Sequence, residues 1–222
     1  MKKRLFATIM AAAMMISMTV GSAQAEGNID AESIKIGVLL STTGNFSLSE
    51  TPMKNAAQMA IDEINEAGGI AGVPIEPIYM DYGSEPSIAA EKAQELILQD
   101  EVVAIVGTNS SSTRLAVIPT IEQYDSLLVY NTFYEGEIPS DNVLYTNTCP
   151  SQQVAGFLPY IVENLGKKVY FVGSDYEFPR NTISYAKKLL EELGGEVVGE
   201  EYAPTGTSDF SSIVNKIKAA EP

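Results

Sequence analysis

Short apolar segments alternate with amphipathic segments along the chain from residue 34 onward. The runs IKIGVLL, IEPIYM and VVAIV have the length of buried strands, and the segments between them repeat apolar residues at helical spacing. Strands that alternate with helices through short connections predict parallel sheets covered by helices on both faces. The predicted strands span residues 34–40, 75–80, 102–106, 126–131, 142–146, 168–173 and 196–202.

Helical segments follow most of these strands. The first is expected to begin near Met53, with Pro52 in its first turn, and to end before Gly68. The other predicted helices span residues 85–99, the segment after GTNSSSTR through residue 124, and residues 152–165, 179–193 and 209–220. The pattern therefore predicts an α/β fold.

The alternation falls into two series that divide near residue 149. We expect two Rossmann-like lobes with parallel sheets, an N-terminal α/β lobe at 34–148 and the start of a second lobe at 149–222. The second series has only two clear strands, and a two-stranded parallel sheet with unpaired edges is not stable alone. The second lobe is therefore predicted to be incomplete, and the sequence to be the N-terminal portion of a longer protein.

The first 25 residues have the organisation of a secretory signal peptide. Three basic residues precede an apolar run, and the segment ends in Ala23-Gln24-Ala25, a small-x-small cleavage site. A membrane anchor is the alternative, but the apolar run is short for a span and no basic residues follow it. We predict cleavage after residue 25, a polar lead at 26–33 and a periplasmic or other extracytoplasmic location.

Charge and composition exclude several classes of function. Removal of the three basic residues of the signal peptide changes the formal net charge from −15 to −18, which disfavours nucleic acid. The chain has no histidine, so Ser-His and Cys-His catalysis and the commonest zinc ligand are absent. Cys149 is the single cysteine and is expected to be a buried, inert thiol. The prediction is a soluble protein that is not an enzyme and uses no cofactor or metal.

The stretch GTNSSSTR, residues 107–114, follows the predicted strand at 102–106. It lacks the second glycine and the lysine of a phosphate-binding P-loop, and it lacks the Gly-x-Ser-x-Gly pattern of a nucleophile elbow. One serine is expected to cap the following helix, which leaves the other hydroxyls unexplained. Ligands bind at the carboxyl ends of parallel strands, so this stretch indicates a binding site for a small molecule.

Several motifs resemble one family. The signal peptide, IKIGVLLSTTG, AIDEINEAGGIAGVPIEPIYMD and FVGSDYEFPR are similar to the type I periplasmic solute-binding proteins of ABC importers. STRLAVIP, LLVYNTFYEG and GSDYEFPRNT resemble most closely the branch that binds urea and short-chain amides. The resemblance implies a receptor whose two lobes close on a small neutral ligand and deliver it to a membrane permease.

The resemblance also implies a set of ligand-binding residues. Ser111 matches the serine after the third strand, Tyr130 and Thr132 match a Tyr-x-Thr pair, and Tyr176 matches the tyrosine of a Ser-Asp-Tyr motif. Asn109 and Ser110 belong to the same predicted wall. Hydroxyls would donate to a ligand carbonyl while an aromatic ring packs against its planar face.

Two positions depart from the urea and amide pattern. Asn109 stands where relatives often carry an aromatic residue, and Asn131 follows Tyr130 where relatives differ. Both changes make the wall more polar, so a branched-chain or other amino acid is the alternative ligand. A further alternative is an amide-sensing regulatory or sensor module that shares the fold.

Overall fold

A computed structural model describes residues 29–136 and 138–222, so the predicted signal peptide at 1–25 lies outside the described residues. The larger sheet is five-stranded and parallel, in the order β2-β1-β3-β4-β5. Its strands are β1 (Ile34–Leu39), β2 (Ile75–Met80), β3 (Ala104–Gly107), β4 (Leu128–Tyr130) and β5 (Val143–Tyr145). The carboxyl ends of all five strands lie at one edge of this sheet.

Helices cover both faces of the larger sheet, because β1 carries buried apolar side chains on both of its faces. Val38 and Leu40 pack in one buried cluster with Ile61, whereas Leu39 packs in the opposite cluster with Leu96. Successive side chains of a strand point to opposite faces, so one strand contributes to both clusters. The helices that follow β1, β2 and β3 are α1 (Ser47–Glu66), α2 (Pro86–Leu98) and α3 (Ser111–Gln123).

A second parallel sheet contains β6 (Lys168–Ser174) and β7 (Glu196–Ala203). It is flanked by α4 (Pro150–Asn164), α5 (Glu177–Glu192) and α6 (Ser211–Ala220). The predicted α/β fold with parallel sheets is confirmed, and the division at residues 148 and 149 stays a prediction. Within residues 29–136 and 138–222, no helix is both long and apolar enough to cross a bilayer.

Two local predictions are wrong. α1 begins at Ser47 rather than near Met53, so Pro52 lies inside the helix. Proline has no N–H to donate to the carbonyl oxygen four residues earlier, which here belongs to Leu48. Leu48 is 89% exposed, so its carbonyl is close to water. Cys149 is half-buried rather than buried, because it precedes α4 as its N-cap.

Candidate functional site

The loop that joins β3 to α3 lies at the carboxyl edge of the larger sheet. Gly107 ends β3 with a φ of 128°, and a Cβ there would lie 2.4 Å from the carbonyl oxygen of Leu39. Only glycine allows this close approach of the two strands. Ser110 is the N-cap of α3, and its backbone N–H donates to Thr113 Oγ1 at 3.3 Å. One serine of the stretch therefore occupies the N-cap position, as expected, and the Thr113 hydroxyl satisfies its N–H.

A small cleft of about 60 Å³ opens between this loop and the start of α5. Five of the six predicted ligand-binding residues line it together with Phe133 and Phe178. The five are Asn109, Ser110, Ser111, Thr132 and Tyr176. The structure therefore brings side chains from both series of elements to one place, although their contact with a ligand stays a prediction.

Tyr130 does not line the cleft. Its side chain is fully buried, and its hydroxyl donates to the carbonyl oxygen of Phe133 at 3.2 Å. Its ring lies 5.0 Å from the Arg114 guanidinium carbon, in cation–π geometry. Strand β4 ends at this residue, and its side chain points into the core rather than toward the edge. The structure thus gives Tyr130 a supporting position behind the cleft.

A buried ion pair lies directly beneath the cleft. Arg114, on α3, contacts the Glu135 carboxylate, and the side chains are 0% and 1% exposed. Burial disfavours a charged guanidinium, but the hydrogen bond and the negative charge of Glu135 outweigh it and raise the pKa of Arg114. The Ser111 hydroxyl donates to Glu135 Oε2 at 2.6 Å. The ion pair therefore fixes the orientation of a residue in the cleft wall.

Two predicted donors direct their protons into the protein. Ser111 donates to Glu135, and the Thr132 hydroxyl donates to the carbonyl oxygen of Thr108 at 3.2 Å. A hydroxyl has one proton, so in this arrangement both oxygens present lone pairs to other groups. The backbone N–H groups in the first turn of α3 have no carbonyl partner within the helix, and such groups can donate to a bound oxygen.

Contacts across the cleft join the two series of elements. The rings of Phe133 and Phe178 are stacked, with centroids 6.1 Å apart and an interplanar angle of 20°. The Ser112 hydroxyl donates to Glu177 Oε2 at 2.5 Å. These contacts join the start of α5 to the first turn of α3 and to the segment after β4.

Sequence reasoning missed the charged residues that support the cleft. Arg114 and Glu135 are separated by 21 positions, and no local pattern indicates that both are buried. Glu50 precedes the predicted start of the first helix near Met53, whereas in the structure it lies within α1 and is completely buried. Glu135 lies in the quoted segment LLVYNTFYEG, but nothing in that segment indicates that its glutamate is buried.

Comparison with known proteins identifies the family. A family model described as a periplasmic binding protein domain matches residues 34–222. Among curated proteins, the chain is 28% identical over 191 residues to the Leu/Ile/Val-binding protein BraC3 of Rhizobium johnstonii, which covers 84% of this chain and 52% of the relative. It is 30% identical over 195 residues to an amino acid binding protein of Pseudomonas aeruginosa, covering 84% of this chain and 51% of that protein.

Solved structures show the same fold. The branched-chain amino acid transporter substrate binding protein LivJ of Streptococcus pneumoniae, in complex with isoleucine, has a TM-score of 0.75 and 27% identity. That match covers 84% of this chain and 54% of LivJ. A solute binding protein of an ABC transporter from Rhodopseudomonas palustris, in complex with 3,4-dihydroxybenzoic acid, has a TM-score of 0.80 and 26% identity, covering 86% of this chain and 53% of that chain.

These matches agree with the prediction that the chain is a binding protein and not an enzyme. The chain spans about half the length of the curated relatives it matches. The family match extends over nearly all the described residues and agrees with the parallel α/β fold. The chain belongs to the periplasmic binding protein domain family.

Proposed function

We propose that this chain is the solute-binding part of an extracytoplasmic receptor for an ABC importer, and that its solute is a small aliphatic amino acid. The observation that carries the proposal is the position of the first turn of α3 in the cleft wall. The N–H groups of Ser111 and Ser112 belong to that turn, and a helix N-terminus favours a bound carboxylate. The α-carboxylate of an amino acid fits this position.

The rest of the cleft suits the other two parts of an amino acid. Ser111 and Thr132 present acceptor oxygens, because their protons are used within the protein, and an ammonium group needs acceptors. The rings of Phe133, Tyr176 and Phe178 offer apolar surface for an aliphatic side chain. The similar proteins from Rhizobium and Streptococcus, named for binding branched-chain amino acids, support the same choice.

Urea or a short-chain amide is the second candidate, favoured by the volume of the cleft. Pockets for drug-sized ligands measure roughly 300–1,000 Å³, whereas this cleft measures only about 60 Å³. Urea is a planar molecule of that order of size, and its amino groups would donate to the same acceptor oxygens. The relatives named above do not favour this candidate.

Calorimetric titration of the full-length protein separates the candidates. We expect saturable heat with leucine, isoleucine or valine and none with urea or acetamide. Leucinamide and 4-methylpentanoate, which lack the carboxylate and the amino group respectively, should each bind at least about tenfold more weakly, a loss of ~1.4 kcal/mol. Binding of urea or acetamide without binding of leucine would instead establish the amide candidate.

Export and delivery to a permease are parts of the same proposal. The signal-peptide pattern of residues 1–25 and the family description support an extracytoplasmic location. Mass spectrometry of the protein recovered from outside the cytoplasm should give Glu26 as the first residue. A retained N-terminus in that fraction would contradict cleavage after residue 25.

A further inference from the structure

A completely buried carboxyl group lies behind the loop that precedes α3. Glu50, on α1, is 0% exposed and accepts a hydrogen bond from the backbone N–H of Ser41 at 2.7 Å. Tyr82 and Asp81 are the titratable groups that face it from the segment after β2. Within the described residues, no basic side chain pairs with Glu50, in contrast to Glu135. Its charge is therefore uncompensated when the group is ionised.

Tyr82 connects Glu50 to the cleft. Its hydroxyl oxygen lies 2.8 Å from both carboxyl oxygens of Glu50. The same oxygen contacts the carbonyl oxygen of Asn109 and accepts the N–H of Asn109 at 3.0 Å. Asn109 lines the cleft and is two positions from Ser111. One tyrosine hydroxyl thus joins the buried carboxyl to the backbone of the ligand-binding loop.

Proton counting determines which form of Glu50 this arrangement accommodates. The Tyr82 hydroxyl has one proton, yet its oxygen approaches two acceptors, the Glu50 carboxyl and the Asn109 carbonyl. If Glu50 is a carboxylate, one of these oxygen pairs has no proton between its members. If Glu50 is a neutral acid, it donates to Tyr82 and Tyr82 donates to Asn109. The Asn109 carbonyl also accepts from the Thr113 hydroxyl at 3.1 Å, but only the neutral acid places a proton in both oxygen contacts of Tyr82.

The surroundings of Glu50 also favour its neutral form. Burial raises the pKa of Glu50 to about 7, against the lowering effect of its bonds from Ser41 and Tyr82, and Asp81 raises it further. Burial and the nearby charge of Glu50 raise the pKa of the Tyr82 hydroxyl, which keeps its proton. Near neutral pH, Glu50 can therefore hold the proton that it donates to Tyr82.

We propose that Glu50 is a positioning residue that, as a neutral acid and through Tyr82, holds the loop from Asn109 to Ser111 in its binding conformation. Solute binding is then coupled to the uptake of one proton. This inference rests on the proposed function, since it concerns the same cleft.

The test compares solute affinity with pH for the full-length protein and for Glu50→Gln. The glutamine amide keeps the shape of the neutral acid, donates to Tyr82 and accepts from Ser41, but does not titrate. The wild-type affinity should be constant at low pH and should weaken by about tenfold per pH unit above about 7, whereas Glu50→Gln should be flat. Calorimetry in buffers of different ionisation enthalpy should show uptake of one proton at the upper end of the range.

Tyr82→Phe supplies a second variant. It removes the link but keeps the ring, so we expect weaker binding at all pH values and no proton uptake. A wild-type affinity that does not change with pH, or a Glu50→Gln variant that keeps the wild-type pH dependence, would overturn the proposal.

A measurement without solute separates this proposal from the proposed function. Infrared difference spectra between the wild type and Glu50→Gln should contain the C=O band of a protonated carboxyl below neutral pH. If no solute binds at any pH, the proposed function fails while the band still reports the state of Glu50. If solute binds and the band is absent throughout, the proton-coupled role of Glu50 fails instead.

Discussion

Ser111 Oγ lies 2.6 Å from Glu135 Oε2, and the serine therefore gives its proton to a buried carboxylate rather than to the cleft. Arg114, one turn further along α3, neutralises that carboxylate. Helix α3 thus contributes both Ser111 and Arg114, and the charge of Arg114 offsets the cost of burying the Glu135 carboxylate. As a result, Ser111 is held in the cleft wall with its hydroxyl oxygen as a hydrogen-bond acceptor.

Loss of this partner should destabilise the protein strongly. Glu135→Ala leaves the Arg114 guanidinium buried without a counter-charge, and breaking a buried pair costs about 3–5 kcal/mol. We expect a decrease of that size in the free energy of unfolding, measured by denaturant titration at neutral pH. Asp175→Ala is the matched control, because it removes a carboxylate from the half-exposed pair with Arg180; its expected cost is below about 1 kcal/mol. Equal losses in the two variants would contradict the assigned role of the buried pair.

The stacked rings of Phe133 and Phe178 should contribute to solute affinity. Phe133→Ala removes an aromatic pair across the cleft, worth about 0.5–1.5 kcal/mol beyond area burial. We expect the dissociation constant to rise by about two- to tenfold, measured by calorimetry. Phe157→Ala is the control, because Phe157 is 63% exposed on α4 and does not line the cleft. Unchanged affinity in Phe133→Ala would show that the ring pair does not close over the solute.

The fold could be predicted from the sequence because its signal is local. Apolar runs of strand length and helical periodicity recur along the chain, and the β2 and β6 segments were located to within a residue. The start of α1 could not be predicted this way, since Pro52 is typical of a first turn and lies deeper in the helix. That error concealed Glu50, which lies in the part of α1 that precedes the predicted start near Met53.

The cleft was located in part because strand ends and helix starts can be recognised from sequence. Five predicted residues reach it, but the burial of Tyr130 depends on how β4 packs against Arg114 and β5. The direction of each hydroxyl also escaped prediction. Ser111 and Thr132 were expected to donate to the ligand, and their partners, Glu135 and Thr108, are distant in sequence.

Cys149 should react with thiol reagents in the folded protein. It is half-buried at the start of α4, where a hydrogen bond with Ser151, 3.1 Å away, lowers the pKa of its thiol. Ser151→Ala should raise that pKa and slow alkylation by iodoacetamide below pH 8 by a few-fold, since the thiolate is the nucleophile. The rate is measured by mass spectrometry of the native protein. Identical rates in the two proteins would exclude Ser151 as the cause, and a rate as slow as that of a buried thiol would contradict the observed exposure.

The stability of the wild type should fall as pH rises through neutrality, because of Glu50. Its pKa is raised to about 7 in the folded protein from an ordinary value of 4.5, so the folded state binds the proton more tightly than the unfolded state. The associated stability is fully present below the ordinary value and is lost as pH rises through about 7; the loss is about 3 kcal/mol.

Glu50→Gln isolates this contribution. Carboxyls with lowered pKa values, such as Asp81 and Glu200, affect both proteins alike and act at lower pH. We expect the free energy of unfolding of the wild type, relative to that of Glu50→Gln, to decline between about pH 4.5 and 8 and then to level off. Denaturant titrations at several pH values measure the difference. Parallel curves for the two proteins would mean that Glu50 has the same pKa in the folded and unfolded chain, and its burial would then carry no electrostatic cost.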